Sequence, residues 1–407
     1  MSRARIRWYI VGALTGFSSI AHATSEPPTT TDARAIGMGS TAVSHVHSAA
    51  AVYHNAAALH EVEKLTLTAN LAASRVAQSA PFPAPDGSVS SLDSEPALIP
   101  LFLVGGAYRV HDQIVLGLAA FTTGGFGGEY ETAIGLMKAQ LGAIEISPTV
   151  TFSPTKNLAL GVGYRVSYAM EELVMPMPNP MGPMAPPLSA NIDMTGTHFA
   201  GFHAGVYYRP IDRLKLGFAY RSKVSIPLEG TISVAGQELD AESEFAFPHA
   251  FKLGGAFEAI EDQLQLALEL RYLMHGDANE ELVVEAPPPI GNITQVLDWQ
   301  DSLSVGAGAE YFVVPKVPLR AGYRVTMSAT PEERPGALFP APGPLHSVHL
   351  GAGLRLPNID IDLGGFYSWG GMDVESPTSD PPPAPPAVPG EYTMKVTAVS
   401  ASVTYHL

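Results

Sequence analysis

Beyond residue 60, apolar and polar positions alternate one for one along most of the chain, the period of a strand with one apolar face. Leu264, Leu266, Leu268, Leu270 and Tyr272 alternate with Gln263, Gln265, Ala267, Glu269 and Arg271. Leu214, Leu216, Phe218 and Tyr220 face away from Lys215, Gly217, Ala219 and Arg221, and Leu158, Leu160, Val162, Tyr164 and Val166 form another apolar face. A water-soluble sandwich alternates too, but its strands usually run about five or six residues. Here the segments run about 10 to 14, the length of tilted strands that cross a hydrocarbon layer. Many positions on the polar face are small: Gly161, Gly163, Gly217, Gly306, Gly308, Gly351 and Gly353.

Alternation and turn residues together predict about fourteen strands, an even number suited to a closed antiparallel transmembrane β-barrel. They begin near residues 64, 99, 114, 142, 157, 196, 213, 247, 263, 300, 317, 345, 358 and 391. Short turns, such as His111-Asp112-Gln113 and Pro357-Asn358, alternate with long segments at 76–98, 125–141, 174–195, 228–246, 277–298, 328–344 and 371–390. Short periplasmic turns and long external loops are the expected asymmetry, with both termini periplasmic. Most of the proline falls in the long segments. The chain ends on an alternating strand, Val399, Ala401, Val403, Tyr405 and Leu407. It resembles the terminal strand that barrel-assembly machinery recognises, with Leu407 where Phe is more usual.

Composition narrows the picture further. Of 407 residues, 46% are hydrophobic and 15% charged, which excludes wholesale disorder. The absence of cysteine excludes disulfides, Cys-ligated zinc, iron–sulfur clusters and thiol catalysis. A net charge of -16 with no basic cluster in the body of the chain argues against nucleic acid as a partner. At the start, Arg3, Arg5 and Arg7 precede an apolar stretch from Trp8 to Ile20, and Ala21-His22-Ala23 fits a signal-peptidase site. The expectation is a signal peptide over 1–23 and export to the bacterial outer membrane. No later run approaches the roughly 18 apolar residues of a spanning helix, so a closed barrel is the remaining way to cross.

Ahead of the first strand lies a small-residue segment, with Asp32-Ala33-Arg34-Ala35-Ile36-Gly37-Met38-Gly39 and Ala49 to Leu59 at its core. It resembles the N-terminal hatch of the FadL/TodX outer-membrane transporters of hydrophobic compounds. Gly37, Met38 and Gly39 match the family's Gly-rich stretch, and Asn55 and Ala57 match its Asn-Pro-Ala turn, with Ala56 in place of the proline. Further similar stretches are Ala204 to Pro210, Gly217 to Lys223, Pro248 to Gly254 and Leu319 to Tyr323, so the likeness spans the mature chain. The resemblance implies a monomeric barrel over 63–407, plugged by a hatch within 24–62. It also implies passive uptake of long-chain fatty acids or aromatic hydrocarbons from an external apolar groove, with release sideways through the wall. A general diffusive porin and a purely structural barrel are the alternatives. A hydrolase finds no G-x-S-x-G or comparable support.

Several residues are candidates within that frame. Met175, Met177, Met181 and Met184 sit in a proline-rich external segment, where flexible thioethers suit an adaptable apolar surface. Arg165, Arg221 and Lys223 are inward cations that could hold a carboxylate. The competing reading pairs such cations across the lumen with Glu145, Glu269, Glu310, Asp360 and Asp362. Pro148 interrupts a strand and cannot donate to its ladder, which makes it a candidate for the lateral exit. His45, His47, His54 and His60 cluster in the hatch, with polar contacts to the wall expected rather than a metal, and no cofactor is expected. The acidic run from Glu238 to Glu244 reads as a solvated loop that could share divalent cations with lipopolysaccharide.

Overall fold

The computed structural model describes residues 32–84, 88–124, 127–177, 179, 185, 187–288, 290–378 and 387–407. The signal-peptide expectation, Met181 and Met184 lie outside them. Among the described residues, a closed barrel of fourteen antiparallel strands is formed by β1 (Leu65–Pro83), β2 (Ala97–His111), β3 (Ile114–Thr122), β4 (Gly135–Thr155), β5 (Leu158–Met177), β6 (Leu188–Ile211) and β7 (Leu214–Arg221), then β8 (His249–Ile260), β9 (Leu264–Met274), β10 (Ser302–Val314), β11 (Val317–Met327), β12 (Pro344–Arg355), β13 (Ile359–Val374) and β14 (Gly390–His406). Each strand pairs with the next, and β14 closes the ring on β1 from Thr66↔His406 to Ser79↔Thr393. Closure pairs the first strand with the last, so the ring has no terminal edge strand.

The alternation sorts side chains as the pleat demands. On β9, Leu266, Leu268, Leu270 and Tyr272 are exposed on the outer face, while Glu269 and Arg271 are buried inside. Tyr108, Phe152, Tyr208, Phe257 and Tyr311 are exposed, and each lies three residues before the short-turn end of its strand. Such a girdle marks a membrane interface at that end of the barrel. Exposed Phe199, Tyr272, Tyr323, Tyr367 and Trp369 lie toward the other end.

The long segments are more regular than loops. The stretch expected as irregular over 228–246 is a hairpin, Val224–Val234 with Gln237–Phe247, turned by Ala235 and Gly236, both at positive φ. Two central residues with φ > 0 give the turn whose twist matches the flanking strands. The acidic run 238–244 is therefore strand, not loop. Strands at Val89–Asp93, Gly127–Thr132, Glu281–Glu285 and Ile293–Val296 likewise fall in segments read as loops, and β4 starts earlier than its expected position near 142.

Two apolar clusters divide the lumen. One joins the hatch to the wall through Val52, Tyr53, Leu59, Val115 and Phe121. The other fills the long-loop end with Leu141, Leu173, Ile192, Met194, Phe245, Trp299 and Phe339.

Candidate functional site

The hatch is built from short helical pieces, α1 (Ala33–Gly37), α2 (Ala51–His54) and a 3-10 turn (Ala56–Glu61), none long enough to stand alone. The first and the last are capped by their own sequence. The Asp32 carboxylate accepts the Ala35 N–H at 3.0 Å, and Asn55 Oδ1 accepts the Ala57 N–H at 3.1 Å. Asn55 Nδ2 also donates to the carbonyls of Val43 at 2.8 Å and Val206 at 3.1 Å, tying hatch to wall without the proline of the family turn. Gly37, Met38, Asn55 and Ala57 are buried, and Gly39 takes φ +68, which a side chain would resist. Inward glycines of the wall admit this backbone closely. Gly308 meets the Met38 carbonyl, Gly161 the Ala56–Ala57 peptide and Gly217 the Val43 carbonyl.

Charges lock the plug. Arg34 donates to Glu310 through Nε at 3.0 Å and Nη2 at 2.7 Å, and Arg320 Nε reaches the same carboxylate at 2.6 Å. Glu269 accepts the backbone N–H groups of Ala42 at 2.7 Å and Val43 at 2.9 Å and pairs with Arg271 and Arg324. Arg324 donates to the carbonyls of Gly39 and Ser40. At the short-turn end, burial works to raise the Glu61 carboxyl, but Lys215 Nζ at 3.2 Å and the Tyr207 hydroxyl outweigh it and leave it below its ordinary value. The hatch histidines spread over separate partners: His45 meets the Thr41 hydroxyl, His47 meets Arg34, and His60 meets Ser153. Burial, reinforced by Arg34, holds His45 down to about 3, hence neutral.

Above the hatch, Arg165 and Arg221 converge on one buried carboxylate. Arg165 Nε donates to Glu145 Oε2 at 2.8 Å, and Arg221 Nη2 donates to Oε1 at 2.9 Å and to Oε2 at 2.8 Å. The Arg221 guanidinium and the Lys252 ammonium also sit 4.7 Å and 4.3 Å from the centre of the hatch Tyr53 ring. Lys223 is not part of this group; its ammonium donates to the Asp277 carbonyl. Every acid named as a cross-lumen partner is in such a pair: Glu145, Glu269 and Glu310 as above, and Asp360 and Asp362 with Arg355. Met175 and Met177 pack against the outer apolar cluster.

The wall is interrupted at β3. Its ladder with β2 runs from His111↔Ile114 to Leu103↔Phe121 and stops. There the Thr122 hydroxyl takes the Phe102 N–H at 3.2 Å, Thr123 N–H reaches the Ala143 carbonyl, and Gly124, at φ +70, turns the chain away. Beyond Thr122, β2 and β4 face each other across the missing neighbour, and a cavity of about 790 Å³ opens between them. Outward residues Leu71, Phe102 and Met170 line one side of it, and inward residues Leu101, Ala143, Glu171 and Met194 the other. It therefore passes through the wall.

Pro148 sits elsewhere. Its side chain faces outward opposite Leu118, four residues along β4 from Ile144 at the cavity, about 13 Å at strand rise. The β4–β5 ladder pairs Ile146 with Val166 and Thr149 with Gly163 and skips the two residues between. The Ser147 hydroxyl donates to the Tyr164 carbonyl at 2.8 Å, replacing the N–H that proline lacks. Sequence reasoning did not single out the stop at Thr122 or Glu171. The Thr-Thr-Gly-Gly run at 122–125 marks the stop, and Glu171 shares the inward parity of Arg165.

Residues 15–407 match the family described as outer membrane protein transport protein (OMPP1/FadL/TodX). Outer membrane protein P1 of Haemophilus influenzae is 24% identical over 325 residues, covering 70% of this chain and 69% of that protein. Among solved structures, a FadL homologue of Pseudomonas aeruginosa has a TM-score of 0.78 at 16% identity, covering 93% of this chain and 98% of that one. The toluene transporter TbuX of Ralstonia pickettii has a TM-score of 0.70 at 15% identity, covering 93% and 99%. The resemblance read from the hatch and strand motifs is borne out, and the chain belongs to this family of outer-membrane transport proteins.

Proposed function

We propose that the protein carries hydrophobic compounds, of the long-chain fatty acid or aromatic hydrocarbon class, passively across the outer membrane. The carrying observation is the 790 Å³ cavity at the interrupted wall, above a lumen sealed by the hatch. A ligand gathers in the outer apolar cluster, to which Met175 and Met177 contribute; Met181 and Met184 continue the same Met- and Pro-rich run in the sequence. It leaves between β2 and β4 toward the lipid, so the aqueous lumen need not open. Arg165 and Arg221, committed to Glu145, stand outside the cavity lining, beside the hatch Tyr53, and Pro148 is a strand kink rather than the exit. No covalent chemistry or cofactor is involved. The leader is removed after Ala23, the assembly machinery reads the terminal strand, and the monomer sits among lipopolysaccharide.

The absence of cysteine from the chain makes the test clean. Ala143→Cys places one thiol in the cavity wall. Uptake of labelled toluene by cells bearing this variant should be saturable and should fall at least about ten-fold after reaction with a bulky alkyl methanethiosulfonate. Unchanged uptake after complete reaction discards the lateral route.

A further inference from the structure

Glu171 is buried to 3% exposure on β5, and neither of its carboxyl oxygens has a hydrogen-bond partner among the described residues. Its cross-strand neighbours are Leu141 on β4 and Met194 on β6, neither able to donate to it. A carboxyl group left so is costly to bury, and it faces the cavity through the wall. Three more acids, Glu172, Asp193 and Glu229, line the same cavity, and among the described residues no Lys, Arg or His does. The cation beside it, Lys138, is held by Glu172 at 2.6 Å. The cavity is thus apolar along most of its wall, rich in acceptors and without a counter-ion for an anion. Arg165 and Arg221, outside the lining, are already committed to Glu145.

We propose that Glu171 reads the polar end of the transported compound, selecting hydrophobic molecules that carry a hydrogen-bond donor, a hydroxyl or an amine, and rejecting carboxylates. The inference rests on the transport reading above and narrows its substrate class. A donor satisfies the stranded oxygens of Glu171, a plain hydrocarbon leaves them unsatisfied, and a carboxylate meets further acids and no cation among the described lining residues.

The test compares uptake of labelled p-cresol, toluene and 4-methylbenzoate at neutral pH by cells bearing the full chain at equal surface abundance. Rates are taken above a control lacking the protein. The expected result is p-cresol ahead of toluene by about ten-fold, with 4-methylbenzoate at the control level. Glu171→Leu should bring p-cresol down to the toluene rate, and Glu171→Gln, which keeps an acceptor, should retain most of the preference. Heat-modifiable migration on gels confirms that each variant is a folded barrel. Equal rates for p-cresol and toluene, a preference that survives Glu171→Leu, or preferred entry of 4-methylbenzoate overturns the head-group role and leaves transport standing. Control-level uptake of all three compounds overturns both.

Discussion

Arg34 of the hatch and Glu310 of the wall, 276 residues apart in the chain, meet through two parallel hydrogen bonds of 3.0 and 2.7 Å inside the barrel. A planar guanidinium matched to a carboxylate in this way fixes orientation as well as distance. Because Arg320 shares the same carboxylate, Glu310 is one of the points where plug and wall are joined. Replacing it takes the carboxylate from Arg34, which keeps neutral acceptors such as the His45 carbonyl and Gln265, while Arg320 keeps Asp362 at 2.8 Å; breaking a buried pair typically costs about 3–5 kcal/mol. Glu310→Leu is therefore expected to free the hatch while the barrel stays folded, seen as ion conductance in planar bilayers that the parent protein lacks. A variant as tightly closed as the parent would show that the clamp is dispensable.

Gly308 faces the Met38 carbonyl with no room for a methyl group, whereas Gly255 meets the far end of the Leu216 side chain at 3.3 Å and the Lys215 carbonyl at an ordinary 3.7 Å. Gly308→Ala should lower the unfolding temperature by the equivalent of about 1–3 kcal/mol through forced displacement of the hatch. Gly255→Ala should change it little. Comparable shifts for the two would mean that the hatch does not press on the wall.

Ser147 and Pro148 form a compensated pair, the hydroxyl of one making the bond that the other's missing N–H cannot. Ser147→Ala should cost about 1–3 kcal/mol by orphaning the Tyr164 carbonyl. Adding Pro148→Ala should recover most of that loss, because an alanine N–H can bond the same carbonyl. Additive losses in the double variant would refute the pairing. Uptake by Pro148→Ala at equal surface abundance should match the parent.

Much of the barrel was readable from alternation because the pleat forces it. Leu268 outside and Glu269 inside follow from adjacency alone, and the short turns at 111–113 and 357–358 stand where turn residues put them. The hatch was recognisable from Gly37 to Gly39 and Asn55, and the acids named as partners of inward cations are ion-paired, though mostly within one strand, with a neighbouring strand or with the hatch rather than across the lumen. The partners themselves were not readable. Which cation meets Glu310 depends on where α1 lands inside a closed ring, a matter of packing between residues far apart in sequence. Ala235-Gly236 was missed as a turn because alanine seldom takes positive φ. The interruption at Thr122 was missed because a strand that ends early leaves only a turn-like run of Thr and Gly, while the opening needs β2 and β4 in place on either side. Glu171 needed only a parity count from Arg165, but its isolation depends on Leu141 and Met194 from neighbouring strands.

The central claim is that the lumen is closed to water while the wall is open to hydrophobic molecules. The most direct test records toluene uptake and planar-bilayer ion conductance for the same intact protein preparation. The account predicts saturable uptake together with conductance at the level of protein-free bilayers. Large, steady conductance with no saturable uptake would contradict it and make the barrel a diffusive pore.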